Sequence, residues 1–219
     1  KKSINFSVPT GNFGDVYAGY LSKKMGLPIG RLIVATNQND ILHRAISSGK
    51  YIANQVEQTI SPSMDIQVAS NFERLIYDVL DQNSNKTKDA MNKFKKEKKY
   101  IIDDESIARI NNDFLSESLN QKETLEVIKT NYEKHGVILD PHTAVGLGVV
   151  NKLGFDKDCV ILSTAHPCKF PEAINQAIQK NENLPEELNY ILDEKENFDI
   201  IENNLETIKN YINQKLNAN

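Results

Sequence analysis

Residues 4–21 read INFSVPTGNFGDVYAGYL, and the change of hydrophobic pattern inside this stretch decides the fold class. Ile4 to Val8 is a short strand-type run that stops at Pro9-Thr10-Gly11. Gly11-Asn12-Phe13-Gly14 is a turn built around glycines, which tolerate unusual backbone angles. Asp15 then opens a helix in which Val16, Tyr17, Tyr20, Leu21 and Met25 recur at helical spacing. Gly26 and Pro28 end it. The continuous apolar run Leu32-Ile33-Val34-Ala35 suits a parallel strand covered on both faces. Asn39 or Asp40 caps a second helix that carries Ile41, Leu42, Ala45 and Ile46 and stops at Gly49. Strand, turn, helix, strand, helix is the order of an α/β domain.

Further along, residues 58–67 (QTISPSMDIQ) are irregular, and residues 71–80 resume a helix. Residues 81–100 are polar and rich in lysine, with Lys93, Lys95, Lys96, Lys98 and Lys99 close together. They read as a solvated helical insertion, since no aromatic platform accompanies the charge. Residues 103–135 read as two helices, the first marked by Ile107, Ile110 and Phe114, the second by Leu125, Ile128 and Tyr132. Asp140-Pro141 is a helix opening with aspartate as cap and proline at the first position. Cys159–Thr164 is a second buried-type strand, expected to be central and parallel to the first; the loop Ala165-His166-Pro167 follows it. Ile201, Leu205, Ile208 and Ile212 stripe a closing helix. The expected organisation is thus residues 1–178 as an α/β portion with a helical insertion at about 80–135, and residues 179–219 as helices packing on it.

The 219 residues are 39% hydrophobic and 26% charged with a net charge of −4, the profile of a soluble globular protein without a nucleic-acid footprint. No apolar run is long enough to span a membrane, and no secretory signal opens the sequence. Cys159 and Cys168 are expected to be reduced thiols of a cytoplasmic protein, and no cysteine or histidine spacing suits a metal.

The junction at Gly11–Asp15 is where an α/β protein holds an anion. Backbone N–H groups at a helix start lack internal partners, and the helix dipole favours negative charge there. A purely structural turn has the same sequence, and the Asp15 carboxylate would repel a phosphate unless it turns away to cap the helix or meets a cation. Thr164 at the second strand's end offers a hydroxyl to the same edge, or bonds a nearby backbone group. His166, two residues on, either approaches the site or braces its loop.

Five segments in order resemble the threonine synthases: FSVPTGNFGDVYAGYLSKKMGLPI (6–29), LIVATNQNDIL (32–42), SPSMDIQVASNFERL (61–75), LDPHTAVG (139–146) and LSTAHPCKFPEAI (162–174). The resemblance covers at least residues 6–178. It implies the C-terminal part of a doubly wound, mostly parallel domain that binds pyridoxal 5'-phosphate (PLP). It further implies conversion of O-phospho-L-homoserine and water to L-threonine and phosphate. By the same resemblance Gly11, Asn12, Phe13, Gly14 and Asp15 surround the cofactor phosphate, and Thr164 meets the pyridine nitrogen. A neutral hydroxyl there is expected not to hold the nitrogen protonated, leaving a milder electron sink. The lysine that bonds the cofactor follows serine and phenylalanine in the family, in a segment of the type SSFKD. No such segment occurs in these 219 residues, so no catalytic lysine is assigned and activity is expected only together with a missing N-terminal part. Two alternatives remain open at this stage: a non-catalytic phosphate-binding module, and a PLP-dependent phospholyase with another substrate.

Overall fold

A computed structural model describes residues 3–155 and 158–217; Lys1 and Lys2, where the expected first portion begins, lie outside the described residues. Four parallel strands form the central sheet: β1 (Ile4–Pro9), β2 (Ile29–Thr36), β5 (Phe114–Ser118) and β6 (Cys159–Ile161), in the order β5-β2-β1-β6. Two short strands, β3 (Lys50–Ile52) and β4 (Lys99–Ile101), pair antiparallel beside it. The helices are α1 (Gly14–Lys24), α2 (Ile41–Ser48), α3 (Phe72–Val79), α4 (Ser84–Glu97), α5 (Asp104–Asp113), α6 (Gln121–His135), α7 (Pro141–Leu153), α8 (Pro171–Ile178) and α9 (Leu205–Asn217).

The sheet is covered on both faces, as the apolar run in β2 required. Leu32 and Val34 face a core shared with α1, α2 and α3, while Ile33 and Ala35 face a second core with α7. All four are essentially fully buried. The first core is knit by aromatic rings: Phe13 meets Phe72 edge-on at 5.1 Å and Phe114 at 5.7 Å, and Tyr51 links Phe72 to Phe94. Such pairs add about 0.5–1.5 kcal/mol each beyond area burial. Helix α7 lies close to its neighbours through small residues; a Cβ at Gly148 would collide with Leu119 Cδ2.

Two expectations need correction. The stretch 80–135 is not wholly helical, because Phe114–Ser118 is a strand of the main sheet and Lys99–Ile101 pairs with β3. Phe114, read as the end of a helical stripe, caps α5 in an extended conformation and enters the sheet instead. Likewise Asp40 occupies the N-cap of α2 without a capping bond; its carboxylate accepts from Arg44 Nε at 2.7 Å. By contrast α6 begins with a full capping box, Asn120 Oδ1 accepting from Glu123 N and Glu123 accepting from Asn120 N. Asn120→Ala should therefore cost about 1 kcal/mol in denaturant unfolding, and an unchanged midpoint would show that the box does not hold α6.

Residues 1–182 form one compact unit and residues 183–219 a second. Within the second, Asn204 Oδ1 accepts from Glu206 N at 2.9 Å and Thr207 N at 3.2 Å at the start of α9, and Asp199 pairs with Lys215 at 3.0 Å. Among the described residues no helix is long and apolar enough to cross a membrane, and no cluster of ligating side chains suits a metal ion.

Candidate functional site

Strands β1 and β6 are parallel neighbours, with Ser7 level with Ile161. The segments leaving their C-terminal ends, Gly11–Asp15 and Ser163–His166, therefore emerge at the same edge of the sheet, the edge where open α/β sheets place ligands. The strand that leads to Thr164 is shorter than expected and lies at the edge of the described sheet, not at its centre.

The first segment turns sharply from strand to helix. The left-handed residue is not one of the glycines but Phe13, at φ 67°. Its side chain is buried among Phe72, Phe114 and Tyr17, so only its backbone faces the turn. Gly11 is needed for a close approach: a Cβ there would lie 2.7 Å from the Ser63 carbonyl oxygen and 3.0 Å from Ile66 Cδ1. Residues 70–71 hold the turn by its acceptors. Asn12 O receives Asn71 N and Nδ2, both at 3.1 Å, and Asn12 Oδ1 receives Ser70 Oγ at 3.3 Å. Among the described residues the N–H groups of Gly11 to Asp15 donate to no protein acceptor. Five donors at a helix start with no internal partner are suited to an oxyanion. Asp15 is exposed, and among the described residues it neither caps α1 nor pairs with a cation.

The second segment rests on a buried carboxylate. Asp140, 1% exposed, caps α7 as its sequence indicated, accepting from His142 N at 2.9 Å. It also accepts from His142 Nδ1 at 3.0 Å, from the Thr143 hydroxyl, and from Thr164 Oγ1 at 3.3 Å. Burial by itself raises its pKa, but the hydrogen bonds from His142 and Thr143 outweigh burial and hold the carboxyl below the usual range. Asp140 thus contributes stability that is present at neutral pH and lost as pH falls through and below the ordinary carboxylate range. Asp140→Asn should flatten the acid limb of a Tm-against-pH profile; an identical limb in both proteins would remove Asp140 as its source.

A line of contacts joins the two segments. Ser63, whose carbonyl backs Gly11, donates its N–H to His142 Nε2 at 3.3 Å, and His142 leads through Asp140 to Thr164. The stretch holding Ser63 is pinned in turn by Asp65, whose carboxylate accepts from Asn37 at 2.7 Å, Asn39 at 3.0 Å and Thr59 at 2.7 Å. A cavity of about 690 Å³ opens over Asp140, Thr143, Thr164 and His166, the size of a small-ligand site, but Gly11–Asp15 do not line it. His166 Nδ1 accepts from Cys168 N at 3.3 Å, bracing its own loop. Sequence reading had isolated Thr164 and the turn, and had missed Asp140, His142 and Asp65 as their supports. Asp140 was visible as a cap, but nothing in its spacing pointed to residue 164.

The comparisons with known proteins fit this arrangement. A family profile described as "Threonine synthase, C-terminal" matches residues 143–212. The chain is 40% identical to the threonine synthase of Pseudomonas aeruginosa over 216 residues, 97% of this chain and 46% of the relative. A PLP-bound threonine synthase structure from Brucella melitensis superposes with a TM-score of 0.90 at 39% identity, over 97% of this chain and 46% of that one. The yeast threonine synthase structure gives 0.87 at 38%, over 99% and 48%. The chain is a relative of the C-terminal part of threonine synthases. It spans about half the length of the relatives it matches. The mostly parallel sheet is shared with the threonine synthase structures, and so is the α/β class read from the sequence.

Proposed function

We propose that, within the complete protein, this chain holds the phosphate and ring nitrogen of PLP for a threonine synthase reaction, O-phospho-L-homoserine and water giving L-threonine and phosphate. The observation that carries this reading is the set of open N–H groups at Gly11–Asp15, which leave β1 at the same end of the sheet at which Thr164 follows the neighbouring parallel strand β6. The residues present fit the cofactor: a Cβ-free approach and a helix start for its phosphate, and an exposed threonine for its ring. In this reading the N–H groups and the α1 dipole bind the phosphate, the buried Phe13 ring holds the turn rigid, and Thr164 orients the ring. When bound, PLP supplies the electron sink for chemistry at the substrate's α-carbon. The lysine and the groups that grip O-phospho-L-homoserine come from the other part of the protein. The setting is cytoplasmic.

The test is phosphate release from O-phospho-L-homoserine by the complete protein, together with Gly11→Ala. A methyl group 2.7 Å from the Ser63 carbonyl has to displace the turn, an overpacking cost of about 1–3 kcal/mol. PLP should bind roughly 5- to 150-fold more weakly. No phosphate release by the complete protein, or unaltered PLP affinity in Gly11→Ala, would overturn the reading.

A further inference from the structure

From Ala53 to Ser61 the chain forms no helix or strand, and among the described residues no backbone–backbone hydrogen bond ties residues 57–65 to the sheet. Side chains make the attachment instead, and they converge on Asp65. Its Oδ1 accepts from Asn37 Nδ2 at 2.7 Å, Asn39 Nδ2 at 3.0 Å and Thr59 Oγ1 at 2.7 Å, and its Oδ2 accepts from Thr59 N at 2.8 Å. Asn37 and Asn39 come just after the end of β2 and are almost fully buried. Asn37 also donates to Ser61 Oγ at 3.0 Å, and Asn39 holds Glu57 by its carbonyl at 2.8 Å and its N–H at 2.9 Å. Among the described residues no lysine or arginine pairs with Asp65; its donors are neutral. The residues around Asp65 form the floor under Gly11. The Ser63 carbonyl oxygen, Ile66 Cδ1 and Met64 Cα lie 2.7, 3.0 and 3.4 Å from where a Gly11 Cβ would stand. Thr10, just before Gly11, is held to β2 by its own N–H, which donates to Ala35 O at 2.8 Å. The turn and its floor are thus both referenced to the end of β2, the turn through the sheet and the floor through Asp65.

We propose that Asp65 is a positioning residue for anion binding: it fixes the floor under Gly11 relative to β2 and so sets where the open N–H groups of Gly11–Asp15 converge. The proposal rests on the reading of that turn as the phosphate contact, and it names the group that aims it. Hydrogen bonds weaken steeply as their angle is lost, and a binding constellation has to be held to about half an ångström. A floor that drifts by more than this costs anion affinity without unfolding the chain. Met64, buried in the second core, keeps the segment attached when the carboxylate is removed. A carboxylate suits the position because it only accepts, and every bond it makes here is one it receives. Asparagine at residue 65 can keep the three bonds on Oδ1, but its amide group then faces the Thr59 N–H, donor against donor.

The experiment titrates the complete protein with PLP and with pyridoxal, which lacks the phosphate, each followed by the absorbance of the bound form. The ratio of the two dissociation constants isolates the phosphate contact from the rest of cofactor binding. Each charge-assisted hydrogen bond is worth about tenfold in affinity or more, so the unaltered protein should favour PLP by at least about 100-fold. Asp65→Ala should shrink that preference about tenfold, the equivalent of one such bond, with pyridoxal bound as before. Asp65→Asn loses one neutral bond and should shrink it about threefold; it carries the same test should the alanine variant fail to fold. A carboxylate that only stabilises the fold would weaken both ligands equally. An unchanged ratio in the variants that fold therefore overturns the proposal and leaves the site reading in place. A ratio near unity in the unaltered protein removes the turn as the phosphate contact, and the site reading falls with the proposal.

Discussion

Phe13→Ala should remove about 3–5 kcal/mol of unfolding free energy and, in the complete protein, weaken PLP binding as well. The ring is 1% exposed and sits where the packing of α1, α3 and β5 converges, touching Tyr17, Phe72 and Phe114. Its removal leaves a cavity that these stiff aromatic neighbours fill poorly. The same residue holds φ 67°, a left-handed angle that costs a residue with a Cβ about 1–2 kcal/mol. The chain accepts that strain because the ring's burial outweighs it, and the angle turns the backbone so that the N–H groups of Gly11–Asp15 are left open. Phe13→Gly separates the effects: it loses the ring but not the angle, and should fall short of Phe13→Ala in destabilisation by about 1 kcal/mol. Urea unfolding of the three proteins measures both differences. A loss below 1 kcal/mol in Phe13→Ala would mean that the ring is not the anchor of the turn.

That residue also shows where the sequence was legible and where it was not. The order of elements through Gly49 followed from periodicity, because β1, α1, β2 and α2 each carry a local pattern strong enough to specify them. The glycines of the turn were noticed for their backbone freedom, yet the unusual angle fell on Phe13, and Gly11 matters through its contact with Ser63. A contact between residues 11 and 63 leaves no local trace. Strand β5 was missed for a related reason. Its FLSES sequence alternates only weakly, continues the stripe of α5, and becomes a strand because Leu32 to Thr36 offer it an open parallel edge. Thr164 was found through resemblance, but the carboxylate that accepts from its hydroxyl lies 24 residues away and comes into reach only when α7 packs beneath β1 and β6.

The 219-residue chain alone should show no threonine synthase turnover and should hold PLP weakly. The Gly11–Asp15 turn offers a few charge-assisted hydrogen bonds, each worth about 1.5–3 kcal/mol, and association costs at least about 4 kcal/mol. No covalent bond adds to this balance, since none of the lysines present follows serine and phenylalanine as the family's cofactor lysine does. The geometry limits it further. Strand β6 is an edge of the described sheet, and the cavity over Thr164 does not reach the turn. With nothing to close over a substrate, water is not excluded and the reacting atoms are not aligned, a loss of up to about 7–11 kcal/mol of catalytic advantage. Phosphate release from O-phospho-L-homoserine should therefore stay at background for the chain alone. Adding the remaining part of the protein as a separate polypeptide should raise it, as the second half of the cleft meets the exposed sheet edge. Turnover by the chain alone, with borohydride fixing the cofactor to one of its own lysines, would show that the covalent site lies within these residues after all.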